Sequence, residues 1–304
     1  MTSSYDNYLK RRGKITKSLN QKIVDKARKG FGEDEEGFWQ PTADKSGNGW
    51  AIIRFIPPGG GEEDPYVHYY EYSFKSDIGA YYIERSRRSL GRDEADPCYE
   101  FVQKFWDAKD ETTARKYARR QVFISNILVI DDPENPENNG KVFKFRYGAQ
   151  IQQKIDEAFQ PKIPSDPQID AFDLLEGANF KLIIGRKDKF RSYENSKFDA
   201  PSPVSKDTKE IGRILDESHP LQDIVHPDKF KSYDKLLARL IKVVGADLYE
   251  ATMTGETKKP AKKERKAEKS SAKTESPFKE DDEDQDETQD ESDLDSILDE
   301  LDLD

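Results

Sequence analysis

"ISNILVIDDPENPENNGKVFKFRYG" spans residues 124–148. It opens on an unbroken apolar run, Ile127-Leu128-Val129-Ile130, which suits a strand buried on both faces. Pro133, Asn135, Pro136, Asn138, Asn139 and Gly140 then crowd together as turn formers. The return arm alternates. In a strand, Phe143, Phe145 and Tyr147 share one face, and Lys144 and Arg146 the other. The stretch predicts a β-hairpin with one arm in the core and the other carrying cations beside rings. Either the rings line a cleft with cations at its rim, or some of the rings are core. Asp131, Asp132 and Glu134 fall in the turn, where carboxylates serve the turn itself, so no nuclease metal site is expected of them.

Working outward, "GWAIIRFIPPGGGEED" predicts a strand over Trp50–Ile56, stopped by Pro57-Pro58 and a glycine turn. Gly59-Gly60-Gly61 is not a phosphate loop, because no Gly-Lys-Ser/Thr follows it. "YVHYYEYSF" and "AYYIERS" read as tyrosine-rich strands, and "GANFKLIIGRKDKFRSY" as a strand running into a basic, aromatic segment. Cys98, Phe101, Val102 and Phe105 have helical spacing, as do Ile151, Ile155 and Phe159. Phe230, Tyr233, Leu237, Leu240 and Val244 form a last helical stripe, read as core. From about residue 251 order is expected to fail.

The chain has 304 residues, 37% of them charged and 11% aromatic. So many rings favour an ordered core within one sizeable domain plus tails. A single cysteine, Cys98, excludes an internal disulfide and suits a reducing compartment. No apolar run approaches the roughly 18 residues that span a bilayer, and the N-terminus lacks the apolar segment of a signal peptide, so a soluble, unexported protein is expected.

The formal net charge of −11 hides a strong asymmetry. Residues 1–30 hold nine Lys/Arg against two acids, with Ile15, Leu19 and Ile23 every four residues, as in a short basic amphipathic helix. Residues 280–304 hold fifteen acids and no base. Within that run Leu294, Ile297, Leu298 and Leu301 recur at i, i+3, i+4 and i+7, the pattern of a docking peptide that folds on binding. A basic arm and an acidic tail on one chain mark interaction proteins.

Enzyme signatures are missing: the three histidines, His68, His219 and His226, form no metal-protease or deaminase arrangement, and no nucleophile elbow or nucleotide fingerprint occurs. Strands ending in cations beside rings remain. Arg85, Arg87, Arg88 and Arg92 follow Tyr81 and Tyr82; Arg115, Lys116, Arg119 and Arg120 surround Tyr117 and precede Phe123. Lys144 and Arg146 alternate with Phe143, Phe145 and Tyr147; Arg186, Lys187, Lys189 and Arg191 surround Phe190 and precede Tyr193. Single-stranded nucleic acid calls for this combination, because cations track phosphates while ring faces stack on unpaired bases. Duplex DNA hides those faces.

Three blocks, "SGNGWAIIRFIP", "SNILVIDDPENPENNGKVFKFRYG" and "EGANFKLIIGRKDKFRSYENSKF", fall in the order found in a known family. Over roughly residues 1–250, and again at "DLDSILDELDLD", the chain resembles the single-stranded DNA-binding proteins of T-even-type bacteriophages. The resemblance implies an α+β chain: an OB-fold β-barrel core over 31–250, with an inserted subdomain at about 64–112 and peripheral helices. It implies a basic arm, 1–30, for cooperative self-association through Lys10, Arg11 and Arg12, and a disordered linker and acidic interaction tail over 251–304. Arg54, Arg119, Arg120, Phe123, Phe145, Arg146, Phe190 and Tyr193 stand at positions similar to the family's cleft; Tyr82, Lys144, Lys189 and Arg191 join them from the clusters above.

The implied partners are single-stranded DNA, further copies of the chain, and phage replication and recombination proteins (polymerase, helicase loader, primase, recombinase and mediator), in the cytoplasm of an infected bacterium. The implied role is a non-enzymatic one in replication, recombination and repair. A replisome adaptor with incidental DNA or RNA contact is the alternative. One departure stands out. The family's zinc subdomain uses one His and three Cys, whereas here Ser86 falls where a first cysteine would and only Cys98 remains. No cofactor is therefore expected, the subdomain being held by Tyr81, Tyr82, Phe101, Phe105 and Trp106 instead.

Overall fold

A computed structural model describes residues 37–255 apart from Pro164, Asp188 and Lys189. The arm at 1–30, with Lys10, Arg11 and Arg12, and the tail with Leu294, Ile297, Leu298 and Leu301 lie outside the described residues, as does Lys189.

The apolar run of the opening hairpin lies in β5 (Arg119–Asp131), the longest strand and the spine of the sheet. Ile127 and Val129 are fully buried and Leu128 nearly so, because layers pack against both faces. On one edge β5 pairs antiparallel with β6 (Val142–Tyr147), the return arm, and β6 pairs in parallel with the short β1 (Phe38–Trp39). The other edge is shared. β3 (Tyr66–Lys75) takes its first half and β2 (Gly49–Ile56) its second, with a register shift in β2 between Ile52 and Ile53. β4 (Tyr81–Arg85) extends β3, while β7 (Phe180–Lys187) extends β2 and carries β8 (Phe190–Ser192) and β9 (Lys197–Phe198).

These nine described strands form one sheet that does not close, which corrects the expected barrel: the α+β class stands, whereas β1 and β8 end the path β1-β6-β5-β2-β7-β8 without pairing. A helix, α3 (Ala149–Phe159), supplies the reason. Its Ile151 and Ile155 pack into one apolar cluster with Trp39 and Phe145 from one end of the sheet and Leu182, Ile184 and Tyr193 from the other. Side chains of a helix, rather than a strand pairing, bridge the ends.

A second cluster builds the helical side of the molecule. α1 (Pro97–Asp107) and α2 (Glu111–Lys116) close over Tyr72, Phe74 and Tyr82, joined by α5 (Tyr233–Val244) and α6 (Ala246–Thr254). α4 (Thr208–Glu217) covers the outer face of β2 and β5 through Ile214. The glycine turn after β2 is a close approach as well as a bend: a Cβ on Gly59 would lie 2.0 Å from the Ser218 carbonyl oxygen, and Gly60 and Gly61 hold φ of +68° and +77°. No helix among the described residues is long and apolar enough to cross a membrane.

Candidate nucleic-acid interface

β3 carries rings along one face for its whole length: Tyr66, His68, Tyr70, Tyr72 and Phe74. Tyr72 and Phe74 lie under the helical cluster, at 1% and 3% exposure. Tyr66, His68 and Tyr70 are half-buried, because the helices stop short of them. β5 continues this face through Gln121 and Phe123, which stand opposite Tyr70 and His68.

The result is a continuous strip of rings and cations. Tyr66 meets Phe123 edge-on at 5.7 Å between centroids, and Phe123 lies 4.6 Å from His68, which meets Tyr70 edge-on at 4.9 Å. The Arg119 guanidinium sits 3.8 Å from the Tyr70 ring centre and 5.5 Å from that of Tyr99 on α1; Arg88 stands 4.1 Å from the other cation–ring partner, Tyr99. Neither arginine is ion-paired among the described residues. At the Tyr66 end the strip opens into a pocket of about 480 Å³, walled on its far side by Gln152, Gln153 and Asp156 of α3. Burial, then the Arg119 charge, lowers the His68 pKa, with Gln121 hydrogen bonding acting against them, so the ring is neutral at pH 7. Burial, then Asp156 and Asp64, raises the Tyr66 phenol.

Of the residues expected at the cleft, Arg119 and Phe123 join this strip. Arg120 and Arg146 project from the opposite face, where both donate to the buried Glu71 carboxylate at 2.9 Å. Burial alone would raise Glu71; Arg146 and Arg120 outweigh it and hold the carboxyl below its ordinary range. Phe145 is 1% exposed, edge-on to Trp39 and stacked on Tyr147, so neither ring face is open to a base. The pleat explains both positions, since Phe145 and Arg146 must point opposite ways and the Phe145 face is the one α3 covers. Tyr82 is fully buried against Phe74, and Tyr193 is buried with its backbone N–H bonded to Gln150. Arg54 is fully buried and donates to the Asp173 carbonyl at 2.6 Å; burial lowers its pKa and the Asp173 charge opposes this. Those three are built into the interior rather than presented to a ligand. Lys144 lies over Phe38 at 4.6 Å, and Phe190, at the β7–β8 turn beside Arg191, is 38% exposed.

Tyr66, His68, Tyr70 and Tyr99 escaped the sequence reading. The first three had a signal in their period of two, which puts them on one face beside Phe123. Tyr99 had none, because only the docking of α1 brings it to Arg119.

One of the turn carboxylates has structural work. Asp132 is 2% exposed, accepts from the Trp39 indole N–H at 2.8 Å and from the Asn135 backbone N–H, and its own N–H donates to Asn139. The zinc set that the resemblance implies is not matched by the residues present either. Cys98 is fully buried, burial and then Asp96 push its thiol well up, and no three His, Cys, Asp or Glu side chains gather as a metal set among the described residues. These residues do not fit a tetrahedral zinc site. Of the aromatic residues expected to hold the subdomain instead, Tyr82, Phe101 and Phe105 lie in the second apolar cluster, shared with α5 and α6, while Tyr81 is half-buried and Trp106 is 38% exposed.

The comparisons with known proteins identify the family. A family model described as "gp32 DNA binding protein like" matches residues 47–244. The chain is 30% identical over 240 residues to the single-stranded DNA-binding protein of Enterobacteria phage T4, which covers 77% of this chain and 79% of that one. It is 31% identical over 239 residues to the protein of the same description from Enterobacteria phage T2, covering 77% of each. A single-stranded DNA-binding protein of Escherichia phage SV14 matches at 32% over 75 residues, a quarter of this chain. The chain belongs to the gp32-like DNA-binding protein family, with the single-stranded DNA-binding proteins of T-even-type phages among its relatives.

Proposed function

We propose that the chain coats single-stranded DNA during phage replication, recombination and repair in the cytoplasm of the infected host, without catalysing a reaction. The strip from Tyr66 to Arg88 carries this reading: a run of rings, Tyr66, Phe123, His68 and Tyr70, continues into the Arg119 and Arg88 guanidinium groups, which make no ion pair among the described residues, so ring and phosphate-binding charge lie side by side as a single strand requires. Arg191 and the exposed Phe190 of the β7–β8 turn extend the contact, and Lys144 supplies further charge. The basic arm 1–30 links neighbouring copies on the strand, and the acidic tail recruits replication and recombination proteins. The subdomain works without zinc, its place taken by the aromatic cluster and by Asp96.

Intrinsic Tyr and Trp fluorescence of the full chain, titrated with poly-dT at several salt concentrations, tests the central claim. The expected result is quenching with an affinity that falls steeply as salt rises, by stacking and by counterion release respectively. Absence of both signals overturns it and leaves an adaptor whose main ligand is protein. Metal analysis of the purified chain tests the second claim, which stoichiometric zinc would sink.

A further inference from the structure

We propose that the pocket beside Tyr66 seats one unstacked base and reads its exocyclic amino group through the Asp156 carboxylate. This rests on the groove binding a single strand, and goes beyond it by giving the groove a base preference.

The pocket volume, about 480 Å³, lies within the range of small-ligand sites. Its two walls differ. Tyr66 and His68, both half-buried, present rings, as a stacked base requires, with the buried Phe123 packed against both; α3 presents Gln153 and Asp156, both exposed. A carboxylate is out of place in a groove for a polyanion, because every phosphate repels it. It is in place where a base offers an N–H.

Asp156 is also held from behind. Gln152, 5% exposed, donates its amide to Asp156 Oδ1 at 2.8 Å. Its carbonyl oxygen can only accept, so the Tyr147 hydroxyl donates to it at 3.1 Å. That uses the one Tyr147 proton, so Ser125 Oγ, 2.8 Å away, donates to Tyr147. Tyr147 and Ser125 are fully buried, and burial raises the phenol far above its ordinary value, so the proton stays. Three buried groups thus orient one exposed carboxylate that lines the pocket, with Oδ1 taken by Gln152.

A carboxylate accepts hydrogen bonds and donates none. Cytosine, adenine and guanine each bring an amino group; thymine brings none, and a carboxylate partner is a known match for the cytosine amine. Cytosine and thymine share a ring size, so they isolate this contact from stacking.

The test measures the affinity of the full chain for (dC) and (dT) oligonucleotides of equal length at one salt concentration, as native protein and as Asp156→Asn. The expected result is a (dC)/(dT) affinity ratio that falls about fivefold or more in the variant, with (dT) binding unchanged or tighter. If both affinities rise by one factor, Asp156 acts only as a repelling charge and the inference fails while the groove stands. If neither oligonucleotide binds the native chain, the groove and the inference fall together.

Discussion

Tyr70 and Phe145 are each neighboured by an arginine in sequence or space, yet they answer to different measurements. Tyr70 is half-buried with Arg119 over its ring, whereas Phe145 is 1% exposed among Trp39 and Tyr147. Tyr70→Leu is expected to weaken poly-dT binding by about 1–3 kcal/mol with little change in the urea midpoint. Phe145→Ala should cost about 3–5 kcal/mol of stability while the folded fraction binds as before. Equal effects of the two on affinity would remove the distinction. Glu71 extends the contrast to charge. Its folded pKa lies below the ordinary glutamate value of 4.5, so its contribution is present above that value and lost as pH falls through the folded one. Glu71→Gln should therefore destabilise at neutral pH by about 3–5 kcal/mol, since two guanidinium groups lose their buried partner, and should flatten the acid limb of stability against pH. The sequence showed the alternation of Lys144, Phe145 and Arg146 but not which face is core. β5 is buried on both sides, so its apolar run carries no facing signal to pass to β6, and Glu71 is remote in sequence from Arg146.

At the scale of elements, the segment from β4 to α1 depends on one side chain. Asp96 is 1% exposed and caps α1 by accepting from the Cys98 and Tyr99 N–H groups at 3.0 Å. Its other oxygen accepts from the Ser86 hydroxyl at 2.6 Å and the Arg87 N–H at 2.8 Å. Asp96→Ala strands four donors, and the cap alone is worth about 0.5–2 kcal/mol. A loss of about 2–4 kcal/mol is expected in urea unfolding, with faster amide exchange through α1; a loss confined to a few tenths would show the cap to be redundant. The helix was legible from Cys98, Phe101, Val102 and Phe105; its start was passed over in the sequence, and the structure puts Asp96 at the cap and Pro97 in the first turn. The last stripe was less so. α5 buries Leu236, Leu240, Val243 and Val244, while Phe230 lies before it and packs with Leu221 in another cluster. A 3.6-residue period tolerates a one-residue rotation of the face, and only the docking partner fixes it. The open sheet had no local sign at all, because closure depends on whether α3 or a strand fills the gap.

For the whole molecule, charge distribution decides more than fold. The strip's guanidinium groups attract any polyanion, and the chain carries its own: fifteen acids and no base over residues 280–304. Deleting that segment changes the formal net charge from −11 to +4. If the tail competes with DNA for the groove, the truncated chain should bind poly-dT more tightly, by about tenfold or more near 0.05 M salt, where screening is weak. The gap should narrow as salt rises, since both tail–groove and DNA–groove attraction are screened, and the slope of log affinity against log salt should differ between the two forms. A tail that only solubilises predicts parallel slopes and equal affinities. The Asp156→Asn variant separates local from global charge in the same titration: truncation should shift (dC) and (dT) affinity by one common factor, whereas the pocket variant should lower the (dC)/(dT) ratio.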